Sequence, residues 1–145
     1  MKWHLYTVGK PALAYARVGM DEYLKRLRRY ATCQHHILRR GDATEVGPIV
    51  DAQRASSIHI VLDERGQSLT SSQLSKRVQQ WQLDAFKQVR CFIGGADGHP
   101  PAIREQADVV LQLSSFTLQH ELAAVVLLEQ IYRAYTILRN EPYHR

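Results

Sequence analysis

Residues 89–99, "VRCFIGGADGH", decide how this chain is read. Val89, Cys91, Phe92 and Ile93 make a short apolar run that stops at two adjacent glycines, Gly94 and Gly95. A run of that length closed by glycine predicts a buried strand. Backbone without side chains lets a ligand approach the main chain, and it serves a tight turn equally well. Spacing alone leaves both uses open. Gly94, Gly95 and Gly98 lack the G-x-G-x-x-G order of a dinucleotide turn, and no G-K-[ST] follows to make a Walker loop.

Strands and helices alternate on both sides of this stretch. Strands are predicted for "WHLYTVG" (3–9), "CQHHILR" (33–39), "SIHIVLD" (57–63) and "VVLQLS" (109–114). Leu13, Ala16, Met20, Tyr23, Leu24, Leu27 and Tyr30 recur at helical spacing and predict a first helix. Its other face carries Arg17, Lys25, Arg26, Arg28 and Arg29, a solvated face or an RNA-facing one. "GDATEVGP" is expected to be a loop before a short helix over 48–55, and "ERGQSL" is expected to turn the chain. Thr70 and Gln73 have the spacing of a capping box; Leu74, Val78 and Trp81 mark the inner face of the helix that follows. "PAIREQA" predicts a short helix opened by proline. The longest helix is expected over 117–139, with Thr117 as its N-cap. It is apolar nearly all round from Leu122 to Leu128 and must be covered on every side; a second subunit is the expected cover. The alternation predicts an α/β fold, a mostly parallel sheet flanked by helices, in one domain spanning 1–145. Ligands of such sheets lie beyond the carboxyl ends of strands. That singles out Leu62–Asp63, Gly94–Gly95 and Ser114–Thr117.

The 145 residues, 45% of them hydrophobic, suffice for one core. Lys and Arg outnumber Asp and Glu by 19 to 14, a balance that suits a polyanionic partner. Two cysteines in a chain of this size fit a reducing, cytoplasmic compartment. "MKWHLYTVGK" has too short an apolar run for a signal peptide, and no run approaches the length of a membrane span. Cys33, His35 and His36 form a small cluster, but alternation sends the two histidines to opposite faces and no second ligand group follows. No metal site is expected. Neither G-x-S-x-G nor H-E-x-x-H occurs.

Two further stretches carry chemistry. "LSSFTLQHEL" (113–122) sets three hydroxyls and a histidine where a strand meets a helix, whose free N–H groups bind polar ligand atoms or are simply capped. Tyr143 and His144 lie in the last three residues, a region that is either frayed or ordered over a partner; a nucleobase suits both rings.

In this order and over the whole chain, "YTVGK", the helix ending "EYLKRL", "IVLDERG", "FIGGADGH", "LSSFTLQHEL" and "LLEQIYRAYTILRNEPYHR" resemble the RlmH family. These are small SPOUT-class methyltransferases of bacterial large-subunit ribosomal RNA. The resemblance implies an α/β-knot fold with a C-terminal trefoil knot, a homodimer, and S-adenosylmethionine as cofactor. It implies methylation of N3 of a pseudouridine in helix 69 of 23S rRNA within the 70S ribosome, with no DNA or membrane partner. By motif, Leu62, Gly94, Gly95 and the run Ser115, Phe116, Thr117, Leu118, Gln119, His120 are implied to surround the cofactor. Tyr143 and His144 match the family's terminal Tyr-His and are implied in catalysis at the RNA site. The histidine would serve as general base, since imidazoles titrate near neutral pH, or the two would orient the nucleobase without proton transfer. Arg133, Arg26 and Arg29 are candidate phosphate contacts, and Arg133 is equally a candidate for a structural ion pair. Two features depart from the family pattern. Gln119 and Glu121 flank His120 where proline is usual, and Ala123 and Ala124 stand where an arginine usually follows the histidine by about four residues. Ala124 leaves open an RNA-binding protein on the same fold with reduced or lost methyl transfer; another RNA target is a further alternative.

Overall fold

The computed structural model describes residues 1–145. Five strands, β1 (Lys2–Val8), β2 (Cys33–Leu38), β3 (Ser57–Ser68), β4 (Gln88–Ile93) and β5 (Val109–Gln112), alternate with five helices, α1 (Ala14–Leu27), α2 (Ala43–Asp51), α3 (Ser71–Leu83), α4 (Pro101–Glu105) and α5 (His120–Leu138). The strands form one sheet in the order β2-β1-β4-β3-β5, and every neighbouring pair is parallel.

A parallel sheet needs cover on both faces, and alternation along each strand supplies two apolar surfaces. Trp3, Leu5, Ile60, Cys91 and Leu111 belong to the larger core with residues of α1, α3 and α5. Tyr6, Val61 and Phe92 belong to the smaller core with Val46 and Val50 of α2 and Ile103 of α4. Helix α5 packs against both α1 and α3. Its Ala124, Leu127, Leu128, Ile131 and Ala134 are buried, and each fully buried Leu or Ile stabilises by about 1.5–3 kcal/mol. The cover expected from a second subunit therefore comes mostly from the chain itself; Leu122, Val125 and Val126 stay half-exposed.

Several boundaries differ from expectation. Helix α2 begins at Ala43 rather than 48. Asp42 Oδ1 accepts the Glu45 N–H at 3.0 Å, and the Glu45 carboxylate accepts the N–H groups of Arg39, Arg40 and Gly41 at 2.8–2.9 Å. Those three donors hold the Glu45 carboxyl below its ordinary range. "ERGQSL" does not turn at once: β3 runs on to Ser68 and pairs with β5 twice, with an irregularity between Leu62 and Gln67. The capping box of Thr70 and Gln73 is present, with Leu74, Val78 and Trp81 buried. Helix α5 starts at His120 and is capped by Gln119, not Thr117; Gln119 Oε1 accepts the N–H groups of Glu121 (2.8 Å) and Leu122 (3.1 Å).

Five histidines, His4, His35, His36, His59 and His99, sit wholly or partly inside the fold. His36 Nε2 lies 2.8 Å from His4 Nδ1 on one face of the sheet, and His35 Nε2 lies 2.6 Å from Thr7 Oγ1 on the other. His59 is buried with its Nε2 3.2 Å from the guanidinium of buried Arg90. Asp108 Oδ2 lies 3.4 Å from His59 Nδ1 but accepts the His59 backbone N–H at 2.7 Å instead, leaving Nδ1 without a hydrogen bond. Burial lowers the pKa of His4, His35, His36, His59 and His99; His4, also beside His36, falls from 6.5 to about 4. A base whose folded pKa is depressed favours folding when neutral, so this stability is complete above pH 6.5 and is lost as the pH falls toward 4. Urea midpoints measured from pH 7.5 to 4.5 are expected to fall steadily below 6.5. Each proton taken up on unfolding contributes a slope of up to about 1.4 kcal/mol per pH unit. A midpoint constant down to pH 5 would contradict this.

Candidate active site

A cavity of about 530 Å³ opens beyond the carboxyl ends of β3, β4 and β5. That is within the range of small-molecule sites. Its walls come from 62–65, 93–99, 111–114 and 116–120, with Ala123 behind. The turn after β4 is fixed by its own backbone. Gly98 N donates to Gly95 O at 3.0 Å, and Gly98 adopts φ +73°. A Cβ on Gly94 would lie 2.8 Å from the Gly98 carbonyl carbon, so Gly94 serves the turn. A Cβ on Gly95 would meet only Val8, at 3.5 Å, an ordinary contact. Gly94→Ala is therefore expected to lose about 1–3 kcal/mol of stability and Gly95→Ala less than about 0.5 kcal/mol, read from urea midpoints. Equal losses would remove the distinction.

Asp63 anchors the β3 side of the cavity. Its side chain is 9% exposed, accepts the Arg65 N–H at 2.8 Å, and lies 3.4 Å from Arg65 Nε and 3.6 Å from a terminal nitrogen of Arg104. Arg104 also donates to the His99 carbonyl at 3.2 Å, tying α4 to the glycine turn. His99 Nε2 is buried without a partner. On the opposite wall, Ser114 Oγ accepts the Phe116 N–H at 2.9 Å, and Phe116 is 80% exposed.

Leu62, Gly94, Gly95, Phe116, Thr117, Leu118, Gln119 and His120 all border this cavity; Ser115 does not, and is exposed. Ala124 is buried and does not border it either. It faces a small void beside Thr7, Val8, Gly9, Pro11 and Met20. Ala123, the other alanine of that pair, does border the cavity.

The other candidates gather elsewhere, on the surface shared by α1, α5 and the tail. Glu129 Oε1 accepts from Arg133 Nε (3.0 Å), from a terminal nitrogen of Arg133 (2.6 Å) and from the Tyr143 hydroxyl (3.0 Å). The Arg133 guanidinium lies 4.8 Å from the centre of the Tyr143 ring and 3.1 Å from His144 Nδ1. Arginine only donates, so Nδ1 accepts and a neutral His144 carries its proton on Nε2. Burial and the Glu129 contact push the Tyr143 phenol up. Arg26 pairs with Glu22 at 3.0 Å and lies over the rings of Tyr23 and Tyr132; Arg29 lies 3.4 Å from Glu141. The tail is thus pinned, not frayed, and none of these residues borders the cavity of its own chain.

The family model described as "Predicted SPOUT methyltransferase" matches residues 1–144. The chain belongs to the SPOUT methyltransferases. A relative from Thermus thermophilus named "Ribosomal RNA large subunit methyltransferase H" is 46% identical over 145 residues, covering 100% of this chain and 99% of its own length. Within the SPOUT methyltransferases the chain therefore belongs to the RlmH family. One of the same name from Deinococcus radiodurans is 44% identical over 146 residues, covering 100% of this chain and 99% of its own. Among solved structures, a probable rRNA-methyltransferase from Porphyromonas gingivalis aligns with a TM-score of 0.57 at 12% identity, over 95% of this chain and 70% of the other. The SpoU methyltransferase AviRb from Streptomyces viridochromogenes, in complex with the cofactor AdoMet, aligns with a TM-score of 0.51 at 15% identity, over 92% of this chain and 57% of the other. These two likenesses show the SPOUT fold.

Arg65, Arg104, His99 and Glu129 are residues that the sequence reading of this SPOUT methyltransferase passed over. Arg65 and His99 stand within quoted motifs, "IVLDERG" and "FIGGADGH", and their position beside the flagged strand ends was the available signal. Glu129 precedes Arg133 by four residues, the spacing of a helical ion pair.

Proposed function

We propose that this SPOUT methyltransferase uses S-adenosylmethionine to methylate N3 of a pseudouridine in helix 69 of 23S rRNA, on the assembled ribosome in the cytoplasm. In this reading it is a homodimer with a C-terminal trefoil knot. The convergence of Leu62, Gly94, Gly95 and Phe116–His120 on one cavity of nucleoside size is the observation that carries it. Leu62, Ile93, Leu111, Leu113 and Leu118 offer an apolar slot for an adenine, and the main chain of 93–98 offers hydrogen bonds. Bound there, S-adenosylmethionine supplies an activated methyl group.

The chain's own part is to hold the cofactor and to orient the nucleobase, which converts encounter into a near-attack geometry. The tail does not border its own cavity, which supports a dimer in which it meets the partner's. The half-exposed strip of Leu122, Val125 and Val126, with Tyr15 and Val18 exposed on α1, offers apolar surface for that contact. Arg133 occupies His144 Nδ1, so the imidazole presents Nε2–H as a donor; this favours orienting a base oxygen over accepting the N3 proton. The N3 proton then leaves to solvent.

The test mixes the protein with labelled S-adenosylmethionine and 70S ribosomes lacking the helix 69 methyl group, then locates label by digestion and mass spectrometry. Label on the helix 69 pseudouridine is the expected result. Label at another nucleotide would move the target, and cofactor binding without label would leave an RNA-binding protein.

A further inference from the structure

Glu121 lies between the two regions just described. It is the second residue of α5, directly after His120 in the cavity wall, and is 9% exposed. Its Oε1 accepts the backbone N–H of Leu13 at 3.0 Å, a contact across 108 positions of sequence. Leu13 is the residue before α1, where the backbone is extended and no side chain of its own segment caps the helix. The carboxylate therefore sits at two helix N-termini at once, as an acidic residue in the first turn of α5 and as the acceptor at the start of α1. Both termini favour negative charge. No arginine, lysine or histidine pairs with Glu121.

The junction it holds, residues 9–13, lies behind the cavity wall, where Gly9 and Pro11 share a small void with His120 and Glu121. Val8 at the end of β1 packs where a Cβ of Gly95 would point. Arg17 closes the junction on itself by donating to the carbonyls of Pro11 and Ala12. The β1–α1 junction is thus fixed against the glycine turn through Val8 and against the opposite wall through Glu121.

We propose that Glu121 is a positioning residue that locks the N-terminus of α1 to the 116–120 wall, so that the wall is held in its ligand-binding form. The proposal rests on the reading of the cavity as the cofactor site. It predicts that the affinity for S-adenosylhomocysteine, the demethylated cofactor, depends on Glu121 beyond any loss of overall stability.

The experiment measures S-adenosylhomocysteine binding by calorimetry, and amide hydrogen exchange, for the wild type, Glu121→Ala, Glu121→Gln and Thr70→Ala. Thr70→Ala removes a helix cap of similar worth at a residue outside the cavity lining and sets the effect of destabilisation alone. Glu121→Ala is expected to raise Kd about tenfold, with faster exchange at both Leu13 and 116–120; Glu121→Gln, whose amide oxygen still accepts, is expected to restore most of the affinity. Thr70→Ala is expected to change neither. Equal Kd for Glu121→Ala and Thr70→Ala would overturn the proposal, as would exchange that rises at Leu13 alone. Failure of the wild type to bind S-adenosylhomocysteine would refute the cofactor reading, and the exchange pattern would still decide whether the lock exists.

Discussion

Glu129→Ala is expected to lower kcat/KM for ribosome methylation about a hundredfold, the scale at which small misplacements of a reacting group act. A single carboxylate oxygen, Glu129 Oε1, takes two arginine N–H groups and the Tyr143 hydroxyl. Its loss frees Arg133, which in turn holds His144 Nδ1 and lies against the Tyr143 ring. Glu141 is held separately, by the Tyr30 hydroxyl and by Arg29, but little else pins the residues after it. Tyr143 keeps an edge-on contact to Tyr132 and a 3.4 Å approach to the Tyr23 hydroxyl. Glu129 does not border the cavity, so S-adenosylhomocysteine affinity is expected to stay within about twofold. Glu129→Gln keeps the acceptor oxygen without the charge, and an intermediate rate is expected. Unchanged kcat/KM in the alanine variant, measured with 70S ribosomes, would show that order in the tail is not needed.

The second large effect concerns stability. Gly66→Ala is expected to cost about 3 kcal/mol, a loss at the upper end for overpacking. A Cβ at Gly66 would lie 2.6 Å from the carbonyl carbon and oxygen of Val110 and 2.7 Å from Leu111 N. These are backbone atoms of β5, so relief requires one strand to move off another. The site lies at the irregular pairing between Leu62 and Gln67, beside Arg65 and Asp63 in the cavity wall. Gly47, in α2, has no neighbour within 4 Å of its Cβ direction apart from the adjoining residues, but Pro48 follows it and crowds a Cβ in the helical conformation. That crowding offsets the better helix propensity of alanine, so Gly47→Ala is expected to change stability by less than about 0.5 kcal/mol. A large drop in urea midpoint for Gly66→Ala beside a small change for Gly47→Ala would confirm the assignment; a Gly66→Ala midpoint equal to wild type would refute it.

The alternation of strands and helices was legible because the inner strands here are apolar on both faces and each long helix carries a periodic stripe. Ile58, Ile60, Val89, Cys91 and Phe92 announce their strands by composition alone. Features that depend on what a side chain does for the backbone were harder to see. Asp42 and Glu45 open α2 inside a stretch whose glycines and proline suggest a loop. Gln119 caps α5 although Thr117 is the better capping type. The extension of β3 through "DERGQS" rests on pairing with β5, which no local pattern encodes. The cavity wall was legible as strand ends, whereas the separation of Tyr143 and His144 from that wall was not. It follows from the direction of α5, which carries its last turn away from the carboxyl edge of the sheet.

The order β2-β1-β4-β3-β5 also sets a timetable for a chain emerging from a ribosome. β1 is an interior strand, yet one flank waits for residues 33–38 and the other for 88–92. At synthesis rates of 5–20 residues per second, the roughly 80 residues between β1 and β4 take about 4–16 s to make. Through that interval the nascent β1–β2 pair carries Trp3, Leu5 and Tyr6 with one strand edge unpaired, a template for wrong partners. The window in which this chain most needs a chaperone therefore closes only when β4 arrives.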